Sequence, residues 1–334
     1  MRCRSIALLA LVAVGVLSAC SRAPERTEPP GATTPAAEVR LGHLPNITHA
    51  PALIGIAKGY FAAELGGTTL TTQVFNAGPD EVNALLGGSL DAAFIGSGPA
   101  INAFARSNGK AVRLVAGSTS GGAQLVVRPD IRTPEQLRGT VIATPQLGNT
   151  QDVAAKKWLA EQGLPPGPGG VTVQNLDNPR TLDLFRTGQI AGGWLPEPWS
   201  SRLVEAGARV LVDERDRWPG GRFPATVLIV RTDFLAAHPQ TVDALLRAEQ
   251  QAIDLLSTDP AEARAVVNAE IARLTGAALE PPVLDRAFAG LSFGLDPLAE
   301  TFPRLATDSV TAGVATREPD LQGFLDTTRE RSAR

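Results

Sequence analysis

Between residues 39 and 116 the chain switches repeatedly from short β-branched runs to helical spacing and back, and this alternation constrains the fold more than any other feature. Residues 39–44 read as a strand, 50–65 as a helix with Pro51 in its first turn, and 69–75 as a strand. A short helix over 81–86, a strand over 91–95, a helix over 99–106 and a strand over 112–116 continue the series. Such a βαβ series implies an α/β fold with a mostly parallel sheet and helices on both faces. Right-handed crossovers then place the strand-to-helix loops along one edge. Here those loops are residues 45–49, 76–80 and 96–99.

Gly121-Gly122 leads into a strand over 124–127, which reads as a crossing into a second lobe. Residues 133–137 form a capped turn, and 141–152 pass from an apolar strand through a Gly-containing turn to a polar helix start. A helix over 151–162 and the Gly/Pro-rich loop 163–170 follow. Strands over 171–174, 189–194 and 210–212 then alternate with helices over 179–185 and 198–205. The β-branched run 223–230 carries the chain back to the first lobe. After Asp233 the pattern is helical, over 239–256, 260–274, 282–291 and shorter pieces, with no further strand signal. A body this long exceeds one core, so two lobes are expected: 39–123 with 223–334, and 124–222, joined by two strands that permit a hinge.

The N-terminus has a separate role. Arg2 and Arg4 precede an apolar run from Ile6 to Leu17 that is shorter than a membrane-spanning helix, and Leu17-Ser-Ala-Cys20 closes it. This is the layout of a secretory signal peptide over residues 1–19, and Leu-Ser-Ala-Cys looks like a bacterial lipobox with Cys20 as the lipidated residue. Residues 20–38, rich in Pro, Thr, Ala and charge, read as a flexible tether. Losing Arg2 and Arg4 takes the net charge from −3 to −5, which argues against a nucleic-acid partner. Cys3 leaves with the signal, so Cys20 alone remains and neither a disulfide framework nor a thiolate metal site can form.

No metal-ligand pair, P-loop, HExxH, CxxC or GxSxG pattern occurs, so no catalytic residue, metal or cofactor is assigned. What the loops do hold is donors. Thr48 and His49 enter a helix N-terminus; Ser97 and Gly98 precede a Pro-started helix; Thr119 and Ser120 lie near the crossing; Gly148, Asn149 and Thr150 start another helix; Thr226 lies on the returning strand. The first N–H groups of a helix lack intrahelical acceptors and carry the positive end of its dipole. A cleft lined by several such starts therefore suits an oxyanion. Each start also has a plain reading, since every such junction needs a cap. Gly193-Trp-Leu-Pro-Glu-Pro-Trp199 sets Trp194 and Trp199 around Glu197. Either both rings are core and Glu197 caps the next helix, or a Trp covers the cleft and Glu197 meets a cation on the ligand or bridges the lobes on closing.

With these loops in view the chain resembles the substrate-binding subunits of ABC importers, in the nitrate/sulfonate/taurine group. The likeness is carried by His43-Leu-Pro-Asn-Ile-Thr-His-Ala-Pro51, Phe75-Asn-Ala-Gly-Pro79, Phe94-Ile-Gly-Ser-Gly-Pro99, Ala143-Thr-Pro-Gln-Leu-Gly-Asn-Thr-Gln-Asp152, Gly193 to Trp199, and Val212-Asp-Glu-Arg215. The resemblance implies a two-lobe periplasmic-binding-protein-like (type II) fold, a sulfonate- or nitrate-type head group held between helix N-termini, and delivery to a permease driven by an ATPase. It implies a monomeric, extracytoplasmic binding protein and no enzyme. An enzyme acting on a heterocyclic precursor is the less favoured reading. Asn46, His49, Ser97, Gly98, Gly148, Asn149 and Thr150 would hold the head group of an aliphatic sulfonate or taurine, Trp194 or Trp199 would cover its organic part, and Glu197 would meet an amine. Nitrate, bicarbonate and thiamin precursors are the alternatives within the group. These loops lack Lys and Arg, which favours a hydrogen-bonded monoanion over a dianion.

Overall fold

The computed structural model describes residues 34–165, 167, 169–326 and 328; the signal segment, Cys20 and the tether up to residue 33 lie outside them. The first stretch holds β1 (Glu38–His43), α1 (Ala50–Ala57), α2 (Tyr60–Leu65), β2 (Thr69–Val74), α3 (Gly78–Leu86), β3 (Ala92–Ile95), α4 (Ser97–Arg106) and β4 (Val112–Gly121). Next come β5 (Ala123–Val127), β6 (Val141–Thr144), α5 (Thr150–Glu161), β7 (Thr172–Asn175), α6 (Asn178–Arg186), β8 (Gly192–Pro196), α7 (Trp199–Glu205) and β9 (Arg209–Asp213). The last part comprises β10 (Pro224–Arg231), α8 (Thr232–Ala237), α9 (Pro239–Thr258), α10 (Pro260–Thr275), α11 (Pro281–Ala289), β11 (Leu291–Phe293) and α12 (Phe302–Thr311).

The strands form two sheets, one ordered β11-β4-β10-β3-β1-β2 and the other β7-β6-β8-β5-β9. Both are mixed. The βαβ portions pair in parallel, β1 with β2 and β3, and β6 with β7 and β8. The strands that carry the chain between lobes, β4, β5 and β10, pair antiparallel with their neighbours, so the mostly parallel expectation holds only for the βαβ portions. A strand that arrives from the other lobe is not bound by the right-handed crossover that makes βαβ neighbours parallel.

Central strands are apolar on both faces, as a sheet covered on both sides requires, and β3 is buried along its whole length. In the first lobe one cluster, including Leu85, Phe104 and Ile229, fills one face of the sheet, and another, including Phe61, Phe94 and Leu245, fills the other. The second lobe has Trp158, Leu159 and Trp194 on one face and Phe185, Leu195 and Trp199 on the other. The outward crossing turns at Gly121 (φ +87°) and Gly122 (φ +74°), where a Cβ would come within 2.4 Å of Gly290 O and 2.2 Å of Leu291 Cδ2. Only glycine meets both the left-handed backbone and the close approach.

Three expectations need correction. The helix expected over 50–65 is two helices, broken where Gly59 adopts φ +72°. The C-terminal part is not wholly helical: β11 adds an antiparallel edge to β4, and Leu325 bridges to Leu114. Three residues are too few to display a strand period. The tether also ends earlier than residue 38. Ala36 is buried, its N–H donates to Thr241 Oγ1 and its carbonyl accepts from Thr68 Oγ1, and Glu38 begins β1. Among the described residues no helix is long and apolar enough to cross a membrane.

Candidate functional site

The loops at the C-terminal ends of the parallel strands of both sheets converge on a small cavity of about 30 Å³. The first lobe contributes Leu44, Asn46, Thr48 and His49 from the loop after β1, Asn76 to Gly78 from the start of α3, and Gly96 and Pro99 from the start of α4. The second lobe contributes Pro145, Asn149, Thr150 and Gln151 at the start of α5, Asn178 at the start of α6, and Pro196 after β8. This is where an α/β sheet presents helix N-termini to a ligand.

Asn149 is the N-cap of α5. Its Oδ1 accepts from Asp152 N–H at 2.8 Å and its Nδ2 donates to Gln151 Oε1 at 3.0 Å. The Asn149 side chain is thus spent on the cap, and the N–H groups of Thr150 and Gln151 are left as the donors of the first turn. Asp152 does not spoil this positive end. Its buried carboxylate takes Thr144 Oγ1–H, Asn175 Nδ2–H and Gly148 N–H, and it pairs with Lys156 Nζ at 2.7 Å. Gly148 itself adopts φ +76° and abuts Val314 of the first lobe.

The lobes touch through these same residues. Gly98 N–H donates to Thr150 Oγ1 at 3.2 Å, and a Cβ on Gly96 would lie 2.5 Å from that oxygen. Trp199 Nε1–H donates to Asn46 Oδ1 at 3.1 Å, with the Arg202 guanidinium stacked on the ring. His49 is buried; its Nδ1 accepts from Leu44 N–H at 3.3 Å, which puts the ring proton on Nε2. Burial, and secondarily His43, pushes its pKa down to about 3, so the imidazole is a neutral donor.

Of the expected site residues, Asn46, Thr48, His49, Asn149 and Thr150 line the cavity, with Gly98 and Gly148 packed at the lobe contact beside it. The others are placed elsewhere. Trp194 is fully buried in the second lobe, donating to Glu214 Oε2 at 2.8 Å, because its side of β8 faces Trp158 rather than the cleft. Trp199 packs in the core of that lobe and reaches the site only through Asn46. Glu197 accepts from Ser201 N–H and from Arg286 Nη1, 3.2 Å away on α11 of the first lobe, and lines a separate inter-lobe cavity with Gln124 and Asp213. It caps α7 and bridges the lobes. Burial raises its pKa, against the Ser200 and Ser201 hydroxyls and Arg286. Ser120 Oγ accepts from Phe223 N–H. Ser97, Thr119 and Thr226 bury hydroxyls that no described residue pairs with, and none lines the cavity.

Sequence reasoning missed Asn76, Gln151 and Asn178. Asn178 precedes Pro179 at a strand-to-helix junction, the same signal that drew attention to residues 148–150. Among the described residues no cluster of His, Cys, Asp and Glu could hold a metal.

A family model described as the NMT1-like family matches residues 32–272. The taurine-binding periplasmic protein of Escherichia coli (strain K12) is 31% identical over 201 residues, which span 59% of this chain and 60% of that protein's length. The alkanesulfonate-binding protein SsuA of Xanthomonas axonopodis pv. citri, solved bound to MOPS, superimposes with a TM-score of 0.73 at 20% identity, over 87% of this chain and 99% of that one. The periplasmic nitrate-binding protein NrtA of Synechocystis PCC 6803 gives 0.67 at 18% identity, over 89% and 85%. These likenesses show a shared two-lobe periplasmic-binding-protein-like fold.

Proposed function

This chain belongs to the NMT1-like family, and from that premise we propose that it is the extracytoplasmic substrate-binding subunit of an ABC importer. It captures an aliphatic sulfonate or taurine between its lobes and delivers it to a permease and ATPase. The observation that carries the reading is a cavity between two lobes, uncharged in its lining and rimmed by the N-termini of α3, α4, α5 and α6. Main-chain N–H groups and neutral side-chain donors suit three sulfonate oxygens that share one negative charge. The names of the relatives, a taurine binder and an alkanesulfonate binder, support the same ligand class. We assign the head group to Asn46, Thr48, His49 and the first-turn N–H groups of α5 at Thr150 and Gln151, with Gly98 and Gly148 shaping the lobe contact beside it. The two lobes are taken as 36–123 with 223–334, and 124–222, and the chain acts as a monomeric binding protein rather than an enzyme.

A thermal-shift panel of alkanesulfonates, taurine, nitrate and bicarbonate tests the proposal. A ligand at 100 times its dissociation constant should stabilise the protein by about 2.7 kcal/mol. Shifts with nitrate or bicarbonate alone would move the assignment to those anions, and no shift with any sulfur oxyanion would refute the sulfonate reading. Leu17-Ser-Ala-Cys20 supports a lipid anchor on Cys20; a Cys20→Ala chain that still fractionates with membranes would refute it.

A further inference from the structure

We propose that the cleft selects a singly charged sulfonate whose organic part is neutral, accepting a hydroxyl and rejecting an ammonium. This deepens the sulfonate reading and rests on it. The described residues that line the cavity include no Asp, Glu, Lys or Arg. His49 adds no charge, since its pKa lies near 3.

Among the described residues, none of the carboxylates nearby lines the cavity. Asp152 is paired with Lys156 and bonded to Thr144, Gly148 and Asn175 inside the second lobe. Glu197 faces Arg286 in a separate cavity. Glu81 is fully buried against Gly42 of β1 and does not line the cavity, and burial raises its pKa above the ordinary carboxylate value. Asp80, exposed in the first turn of α3, meets Gln146 Nε2 across the lobe contact at 3.4 Å through each of its carboxylate oxygens, and Asp177, exposed just before α6, lies outside the lining too, so water screens both. An ammonium drawn into the cavity would lose its water without gaining a counter-charge.

One lining group does ask for a polar hydrogen. Asn178 Oδ1 is buried, and no described residue donates to it. A neutral hydroxyl on the ligand satisfies that acceptor without bringing in a second charge. The site therefore distinguishes ethanesulfonate and 2-hydroxyethanesulfonate from 2-aminoethanesulfonate, molecules of nearly the same shape.

Isothermal titration of the purified protein at pH 7.5 with these three compounds tests the proposal. Ethanesulfonate and its 2-hydroxy analogue should bind at least about tenfold more tightly than taurine, a gap of about 1.4 kcal/mol. Asn178→Asp, at the first position of a helix where an acid is tolerated, should narrow or invert the gap by supplying a counter-charge. Taurine binding to the unaltered protein as tightly as ethanesulfonate would overturn the proposal. Binding of none of the three would overturn the sulfonate reading beneath it, and this proposal with it.

Discussion

The His49 imidazole accepts the Leu44 N–H on Nδ1 and is 2% exposed, so it presents a fixed N–H and no charge to the cavity. With a folded pKa near 3 it does not titrate in the neutral range. Affinity for ethanesulfonate should therefore be flat from pH 8 down to pH 5 in calorimetry; a rise below the ordinary histidine value of 6.5 would reveal an imidazolium in the site. Stability behaves differently. A histidine whose pKa is depressed on folding contributes fully above 6.5, and the contribution is lost as pH falls toward the folded value. His43, lowered to about 4 chiefly by burial, acts in the same direction, so the melting temperature should drop between pH 6.5 and pH 4. Residues such as His49, Asn149 and Thr150 were legible because a helix start after a strand has the same main-chain chemistry in any α/β protein. Which of the two readings of Trp194 holds was not, since all five residues of β8 are buried and a period of two cannot say which face looks at the cleft.

Helix α9 presents an apolar stripe of Val242, Leu245, Ala252 and Ile253 to the first lobe, and Glu249 falls on the same face, 0% exposed. Neither of its carboxyl oxygens has a hydrogen bond of good geometry from a described residue, and burial, only partly opposed by the nearby Ser118 hydroxyl, raises its pKa well above 4.5. A carboxyl raised on folding contributes its full stability below 4.5 and loses it as pH rises toward the folded value. Glu249→Gln should thus be more stable than the parent at pH 8, by on the order of 1–3 kcal/mol in urea unfolding, with the difference shrinking toward pH 5. A constant difference across that range would mean the carboxyl is not the cause. Most helix starts were readable because Pro stands in the first turn, as at Pro51, Pro239, Pro260 and Pro281. Gly59 and β11 escaped notice: the first breaks an otherwise helical period at one residue, and the second depends on β4 offering an edge.

The two lobes are held together by polar contacts placed around the cavity. Arg286 of α11 donates to Gln124 Oε1 at 2.7 Å, Ser201 Oγ at 2.8 Å and Glu197 Oε1 at 3.2 Å, all in the second lobe. These bonds join the two lobes beside the crossing at Gly122, so they stabilise the arrangement seen without touching the ligand. Arg286→Ala should speed ligand release in stopped-flow measurements and weaken affinity about tenfold, or about 1.4 kcal/mol. Unchanged release would assign Arg286 to folding alone. That the chain forms two lobes was legible from its length and from two crossings, whereas the latch was not, because Arg286 and Glu197 are brought together only by the packing of α11 on α7. The helix N-termini around the cavity have one more consequence. Where recognition depends on main-chain N–H groups, its information resides in the path of the backbone. Most side-chain replacements there leave the donors standing, and among single substitutions only proline deletes one outright. Such a site is buffered against drift in its own side chains and exposed to drift in the turns that aim it.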